Sequence, residues 1–135
     1  MDSRALRIHI YDTLVATGRA PQLTDAERQQ LAALQIGKTL LPHPVTGQVW
    51  MAGPFAAEPT PYKVIGSAGW YANCAWDMLG IPVITQERVR IETRCAHCAE
   101  PLILEASPDE APSYAAALVH FLIPARRWYE DIGFT

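Results

Sequence analysis

Two residues with complementary chemistry, Cys74 and Asp77, lie three positions apart near the middle of the 135-residue chain. Within a helix predicted over residues 69–79, that spacing places both side chains on one face. A thiolate is a nucleophile and a ligand for soft metals, and a desolvated carboxyl group can hold a proton and deliver it. The pair therefore predicts capture of a soft metal and protonation of the group that leaves it. The alternative is a buried structural cysteine beside an exposed aspartate.

The two remaining cysteines, Cys95 and Cys98, form a single Cys-x-x-Cys motif with His97 inside it. One such motif supplies two ligands, whereas a structural zinc site needs four. A thioredoxin-like redox role needs a βαβ context that the surrounding sequence does not predict. The favoured interpretation is a turn between two strands that carries buried or half-buried sulfur, with both thiols as structural or auxiliary groups.

The elements that must position these residues begin with a helix predicted over residues 5–17, where apolar side chains recur at helical spacing. A second helix is predicted over residues 24–34, with Thr24 as its cap. Two short apolar runs, residues 39–41 and 48–51, flank a loop rich in Pro and Gly and predict a β-hairpin. The order helix, helix, hairpin predicts a reduced winged-helix-like lobe.

A proline-rich segment, residues 53–61, predicts a linker between two lobes. We place the boundary so that residues 1–53 form the winged-helix-like N-terminal lobe and residues 54–135 form a small mixed α/β core, which makes the fold class α+β. Besides the helix over 69–79, which we expect Gly80 and Pro82 to end, the core has these predicted elements: strands over 62–65, 88–93, 102–105 and 115–123, and a helical turn over 126–131. For the apolar run over 115–123 the period alone also fits a helix, which is the alternative to a buried strand.

The composition narrows the class of protein. Half of the residues are hydrophobic and 19% are charged, which is enough apolar material for a packed core. The net charge of −3 disfavours nucleic acid as a partner, because phosphate contacts need clustered Lys and Arg. No segment approaches the roughly 20 apolar residues that span a bilayer, and the N-terminus lacks the pattern of a signal peptide. A cytoplasmic protein with reduced thiols is predicted.

The residues around Cys74 and Cys95 resemble the central block of the alkylmercury (organomercurial) lyase family. Residues 70–82 (WYANCAWDMLGIP) and 95–101 (CAHCAEP) carry the likeness, so that the stretch from Trp70 to Glu105 is expected to hold the active site. Upstream, residues 10–14 (IYDTL) and 47–55 (GQVWMAGPF) resemble that family's N-terminal winged-helix-like lobe.

This resemblance implies protonolysis of carbon–mercury bonds, which gives a hydrocarbon and Hg(II). Cys74 would bind mercury as the first catalytic cysteine and Asp77 would handle the proton, whereas Cys95 matches a cysteine usually regarded as structural. Mercury is then substrate and product, no cofactor is implied, and cellular thiols are expected as partners. Alternatives are a non-catalytic heavy-metal-binding or regulatory relative of the family, or an enzyme of this fold with another substrate.

The resemblance also implies a second catalytic cysteine, at a position that would follow Thr135. We expect either a fragment of a longer chain or a gene that encodes selenocysteine at that codon, since selenium would be a still softer ligand. Translation beyond the Thr135 codon tests this. A downstream frame without an apolar strand containing a Phe and a later Trp would exclude the selenocysteine hypothesis.

Overall fold

A computed structural model of the protein describes residues 1–34, 39–110 and 117–132. The first helix, α1 (Ser3–Thr17), begins where the Asp2 side chain accepts a hydrogen bond of 2.8 Å from the backbone N–H of Ala5. It ends at Gly18, which adopts a left-handed conformation that favours glycine. Its buried side chains are Leu6, Ile10 and Leu14, which confirms the predicted apolar face.

The second helix, α2 (Asp25–Leu34), begins with the capping box that its sequence predicts. The backbone N–H of Thr24 donates to Glu27 Oε2 at 2.8 Å, and the backbone N–H of Glu27 donates to Thr24 Oγ1 at 3.3 Å. Leu31 and Leu34 face the core. Both predicted N-terminal helices are therefore confirmed.

One sheet of seven strands packs against these helices, in the order β1-β2-β3-β5-β4-β6-β7 with every neighbouring pair antiparallel. The strands are β1 (Leu40–Pro42), β2 (Val49–Ala52), β3 (Phe55–Ala56), β4 (Lys63–Ile65), β5 (Gly69–Ala72), β6 (Val89–Arg94) and β7 (Pro101–Ala106). Helices combined with an antiparallel sheet confirm the α+β class.

The predicted hairpin of β1 and β2 is present, and it follows the two helices as expected. Its assignment as a winged helix stays a prediction. The predicted linker over residues 53–61 is partly wrong, because β3 lies inside it and pairs with both β2 and β5. The chain reverses between β2 and β3 at a cis peptide bond between Gly53 and Pro54. The division into residues 1–53 and 54–135 also stays a prediction.

The helix predicted over residues 69–79 is wrong in its position. Its first part is β5, which hydrogen-bonds to a strand on each side, and the helix is α3 (Asp77–Thr85). Gly80 and Pro82 lie inside α3 instead of ending it. Ile81 and Pro82 are fully buried, so apolar burial offsets the backbone hydrogen bond that proline removes.

Toward the C-terminus, the hairpin of β6 and β7 is confirmed, and so is the helical turn, a 3-10 helix at Ala125–Glu130. The strand predicted over residues 115–123 is wrong for residues 117–123, which have no regular structure. Leu118 is 92% exposed there, so the apolar run is not a core strand. Residues 115 and 116 lie outside the described part of the chain.

A continuous apolar core joins α1, α2 and the inner face of the sheet. Its largest fully buried side chains include Trp70 and Phe55. The indole N–H of Trp70 donates to the carbonyl of Leu14 at 2.9 Å, which ties β5 to α1. Within the described ranges, no helix is long and apolar enough to cross a membrane.

Candidate active site

Cys74 lies in the short loop that connects β5 to α3. Two backbone hydrogen bonds hold this loop: the N–H of Asn73 donates to the carbonyl of Pro54 at 3.2 Å, and the N–H of Met78 donates to the carbonyl of Cys74 at 3.2 Å. The strand thus fixes one end of the loop and the first turn of the helix fixes the other.

The structure brings Cys74 and Asp77 together, with the thiol Sγ donating to Asp77 Oδ2 at 3.4 Å. The reason differs from the predicted one, because Cys74 precedes α3 and only Asp77 belongs to it. The loop folds the thiol back over the start of the helix. Both side chains are part-buried.

Burial is the main cause that raises the pKa of the Cys74 thiol. The backbone N–H groups of Asp77 and Trp76 oppose this by stabilising the thiolate, whereas the negative charge of Asp77 adds to the rise. Burial likewise raises the pKa of the Asp77 carboxyl, and the hydrogen bond from Cys74 partly offsets the effect. Burial therefore favours the neutral form of each group, and the hydrogen bond from Cys74 Sγ to Asp77 Oδ2 joins the two.

A cavity of about 160 Å³ opens beside this pair, and Cys74, Asp77 and Asn73 lie in its wall. The rest of the wall is largely apolar and aromatic, and includes Leu41, Met51, Trp76, Phe121, Trp128 and Ile132. The site therefore places one thiol and one acid against a surface suited to a hydrocarbon group.

Sequence reasoning missed two features of this wall. The side-chain oxygen of Asn73 is buried and accepts no hydrogen bond from the residues that the structure describes. Phe121 packs against Trp76 and Trp128, with ring centroids 6.4 and 5.1 Å apart, so part of the segment predicted as a strand instead closes the cavity. Both features depend on packing between distant parts of the chain, so no local sequence pattern indicated them.

Cys95 and Cys98 do not line this cavity. They lie in the turn between β6 and β7, where Cys95 is half-buried and Cys98 is exposed. The predicted turn between two strands is thus present, but the expectation of buried or half-buried sulfur is wrong for Cys98, because the turn holds that side chain in solvent. Across the described residues, no group of three or more His, Cys, Asp or Glu side chains is arranged to hold a metal ion.

Comparison with known proteins decides the family. Residues 55–134, more than half of the chain, match the model of the alkylmercury lyase family, MerB. The chain belongs to the alkylmercury lyase family. The match includes Cys74, Asp77 and the Cys95–Cys98 turn, whereas the first 54 residues lie outside it.

A solved structure supports the fold of this alkylmercury lyase family member. The crystal structure of the mercury-bound form of MerB2 is similar with a TM-score of 0.60 and 16% sequence identity, over 84% of this chain. This chain spans 60% of the length of that structure's chain. A search of curated proteins gave no significant match.

Proposed function

We propose that this protein cleaves carbon–mercury bonds by protonolysis, with Cys74 as the mercury ligand and Asp77 as the proton-handling group. The observation that carries the proposal is the contact of 3.4 Å between Cys74 Sγ and Asp77 Oδ2 at the wall of an apolar cavity. Membership of the alkylmercury lyase family supports it.

Cys74 is suited to binding an organomercurial cation because sulfur is soft and mercury prefers soft ligands. Its pKa is raised by burial, so that it meets the substrate as a thiol. The backbone N–H groups of Trp76 and Asp77 then stabilise the negative sulfur as the proton leaves. Formation of the Hg–S bond displaces the thiol proton toward the nearest acceptor, which is Asp77 Oδ2.

Asp77 is suited to carrying that proton because burial raises the pKa of its carboxyl group. In the second step the proton passes from Asp77 to the carbon atom bonded to mercury. The C–H bond forms as the C–Hg bond breaks, and the electron pair of the broken bond goes to carbon. The products are a hydrocarbon and Hg(II) held by Cys74, so atoms and charge balance without an oxidant or reductant.

The apolar and aromatic wall of the cavity receives the hydrocarbon group of the substrate, because burial of apolar surface is favourable. Free cellular thiols complete the coordination of Hg(II) and carry it away. This requirement for reduced thiols fits a cytoplasmic location, which we propose together with the absence of nucleic-acid partners.

The experiment is release of benzene from a phenylmercury salt by the purified chain with excess thiol. Cys74→Ser should abolish release, and Asp77→Asn should slow it about 10²–10⁴-fold because a general acid is lost. Asp12→Asn and Ala96→Ser, both at exposed positions, are the matched controls and should retain the wild-type rate. Release by Cys74→Ser at the wild-type rate would overturn the proposal.

A second function, capture of mercury without cleavage, is favoured by one observation. Among the described residues that line the cavity, Cys74 is the sole thiol. Retention of one phenylmercury group per chain, with no benzene formed and with loss of binding in Cys74→Ser, would assign this non-catalytic metal-binding function instead.

A further inference from the structure

The turn between β6 and β7 holds two thiols that the proposed reaction does not use. Its backbone is closed by two hydrogen bonds: the N–H of Cys95 donates to the carbonyl of Glu100 at 2.9 Å, and the N–H of Ala99 donates to the carbonyl of Cys95 at 2.8 Å. Ala99 adopts a left-handed conformation with φ of 59°. The turn therefore has a defined geometry that fixes where Cys95 and Cys98 lie.

The two sulfur atoms of this turn lie close together. Cys95 Sγ accepts hydrogen bonds from the backbone N–H groups of His97 and Cys98, and also from the Cys98 thiol. Cys98 is exposed, so a dissolved ion reaches the pair without a conformational change.

We infer that Cys95 and Cys98 form a second metal site, one that chelates a soft cation of low coordination number such as Hg(II) or Cu(I). Two thiolates satisfy a cation of this kind, whereas zinc requires four ligands. Among the described residues, no further His, Cys, Asp or Glu side chain is grouped with these two thiols to complete a zinc site. Binding of Hg(II) converts two thiols to a bis-thiolate complex and releases two protons.

The charges around the turn permit this chemistry. The guanidinium of Arg94 donates to the carbonyl of Ala99 at 3.0 Å, which holds a positive charge next to the thiolates. Glu100 opposes it with a negative charge. A neutral bis-thiolate mercury complex suits this balanced environment, because it adds no net charge to the neutral pair of thiols.

The position of the turn relates it to Cys74. Both β5 and β6 run antiparallel to β4, with Tyr71 and Glu92 opposite the same residue, Lys63. The loop with Cys74 and the turn with Cys95 therefore leave the sheet at the same end, two strand spacings or roughly 10 Å apart. If the proposed function holds, the dithiol is an acceptor for Hg(II) released at Cys74.

The test is a titration of the fully reduced chain with Hg(II) in the absence of oxygen and with an excess of a monothiol competitor. Native mass spectrometry counts bound metal, and the thiolate-to-mercury absorption band reports coordination. All variants carry Cys74→Ser, which removes the other thiol. Cys74→Ser alone should retain one Hg(II) per chain against the competitor.

Addition of Cys98→Ser or, separately, Cys95→Ser should weaken retention by on the order of 10²-fold, because chelation is lost. Addition of Ala96→Ser, in the same turn, should leave it unchanged. Equal retention by the Cys74→Ser chain and by both double variants would overturn the inference. Because Cys74 is absent throughout, failure of benzene release by the wild-type chain tests the proposed function alone.

Discussion

The carboxyl group of Asp77 has two opposing effects on the protein. It accepts the hydrogen bond of the Cys74 thiol, yet its burial penalises the charged form and raises its pKa. A group whose pKa is higher in the folded than in the unfolded state favours folding when protonated. Its contribution is fully present below the unfolded-state pKa and is lost as the pH rises through the folded-state pKa.

Asp77→Asn should therefore stabilise the fold at neutral pH, although it removes the proposed acid. The amide keeps an oxygen that accepts the Cys74 hydrogen bond, and it removes the buried charge. Urea unfolding at several pH values measures this. The unfolding free energies of the variant and the wild type should be nearly equal in acid. As the pH rises to neutrality, the variant should become the more stable of the two. A variant less stable than the wild type at pH 7 would contradict the assigned cause.

At the residue scale, sequence spacing predicted the Cys74–Asp77 contact but not its geometry. Three positions bring two side chains together on a helix, and a loop that closes over a helix start does the same. The contact was therefore predictable. The Asn73 oxygen, which is buried without a hydrogen-bond partner among the described residues, instead depends on how β5 and Pro54 meet. No local pattern carries that information.

At the scale of elements, local signals predicted those parts of the chain whose structure is set locally. The capping box of α2 and the apolar periodicity of α1 are such signals. The segment Gly69–Ala72 is different: it forms a strand because β3 and β4 lie on either side of it. Pairing between distant parts of the chain overrode its local pattern. Pro82 was predicted to end a helix, but it lies inside α3, where it is buried.

The end of α1 gives an element-scale prediction. Gly18 has φ of 74°, and a β-carbon added there would lie 1.9 Å from the carbonyl oxygen of Gly69 at the start of β5. Gly47 is the matched control: its φ is 71°, but an added β-carbon would meet only the flexible side chain of Arg28, at 3.3 Å. Both alanine variants should lose about 1–2 kcal/mol of unfolding free energy, because alanine disfavours the left-handed backbone conformation.

Gly18→Ala should lose a further 1–3 kcal/mol, roughly, of unfolding free energy, because α1 and β5 must separate. Denaturant unfolding of the two variants side by side measures the difference. Equal losses in Gly18→Ala and Gly47→Ala would show that the close approach of α1 to β5 is absent.

For the whole molecule, the sheet and the core extend across the predicted boundary at residue 53. Strand β3 pairs with β2 before the boundary and with β5 after it. The same core cluster contains Leu14 from α1 and Ile91 from β6. Composition and proline content marked a boundary, but they carry no information about which strands pair across it. The lobes predicted over residues 1–53 and 54–135 should consequently unfold together.

Trp70→Phe tests that coupling, because Trp70 is fully buried and its indole N–H reaches Leu14 in α1. Loss of the hydrogen bond and of ring volume should lower the unfolding free energy by about 2–4 kcal/mol. Leu14 keeps the hydrogen bond from Gly18, which limits the loss. Far-UV circular dichroism reports mainly on α1 and α2. The fluorescence of the remaining tryptophans reports on the sheet and the cavity wall. Both signals should shift together to the same lower midpoint. Movement of only one signal, or two separate transitions in the wild type, would show that the lobes fold independently.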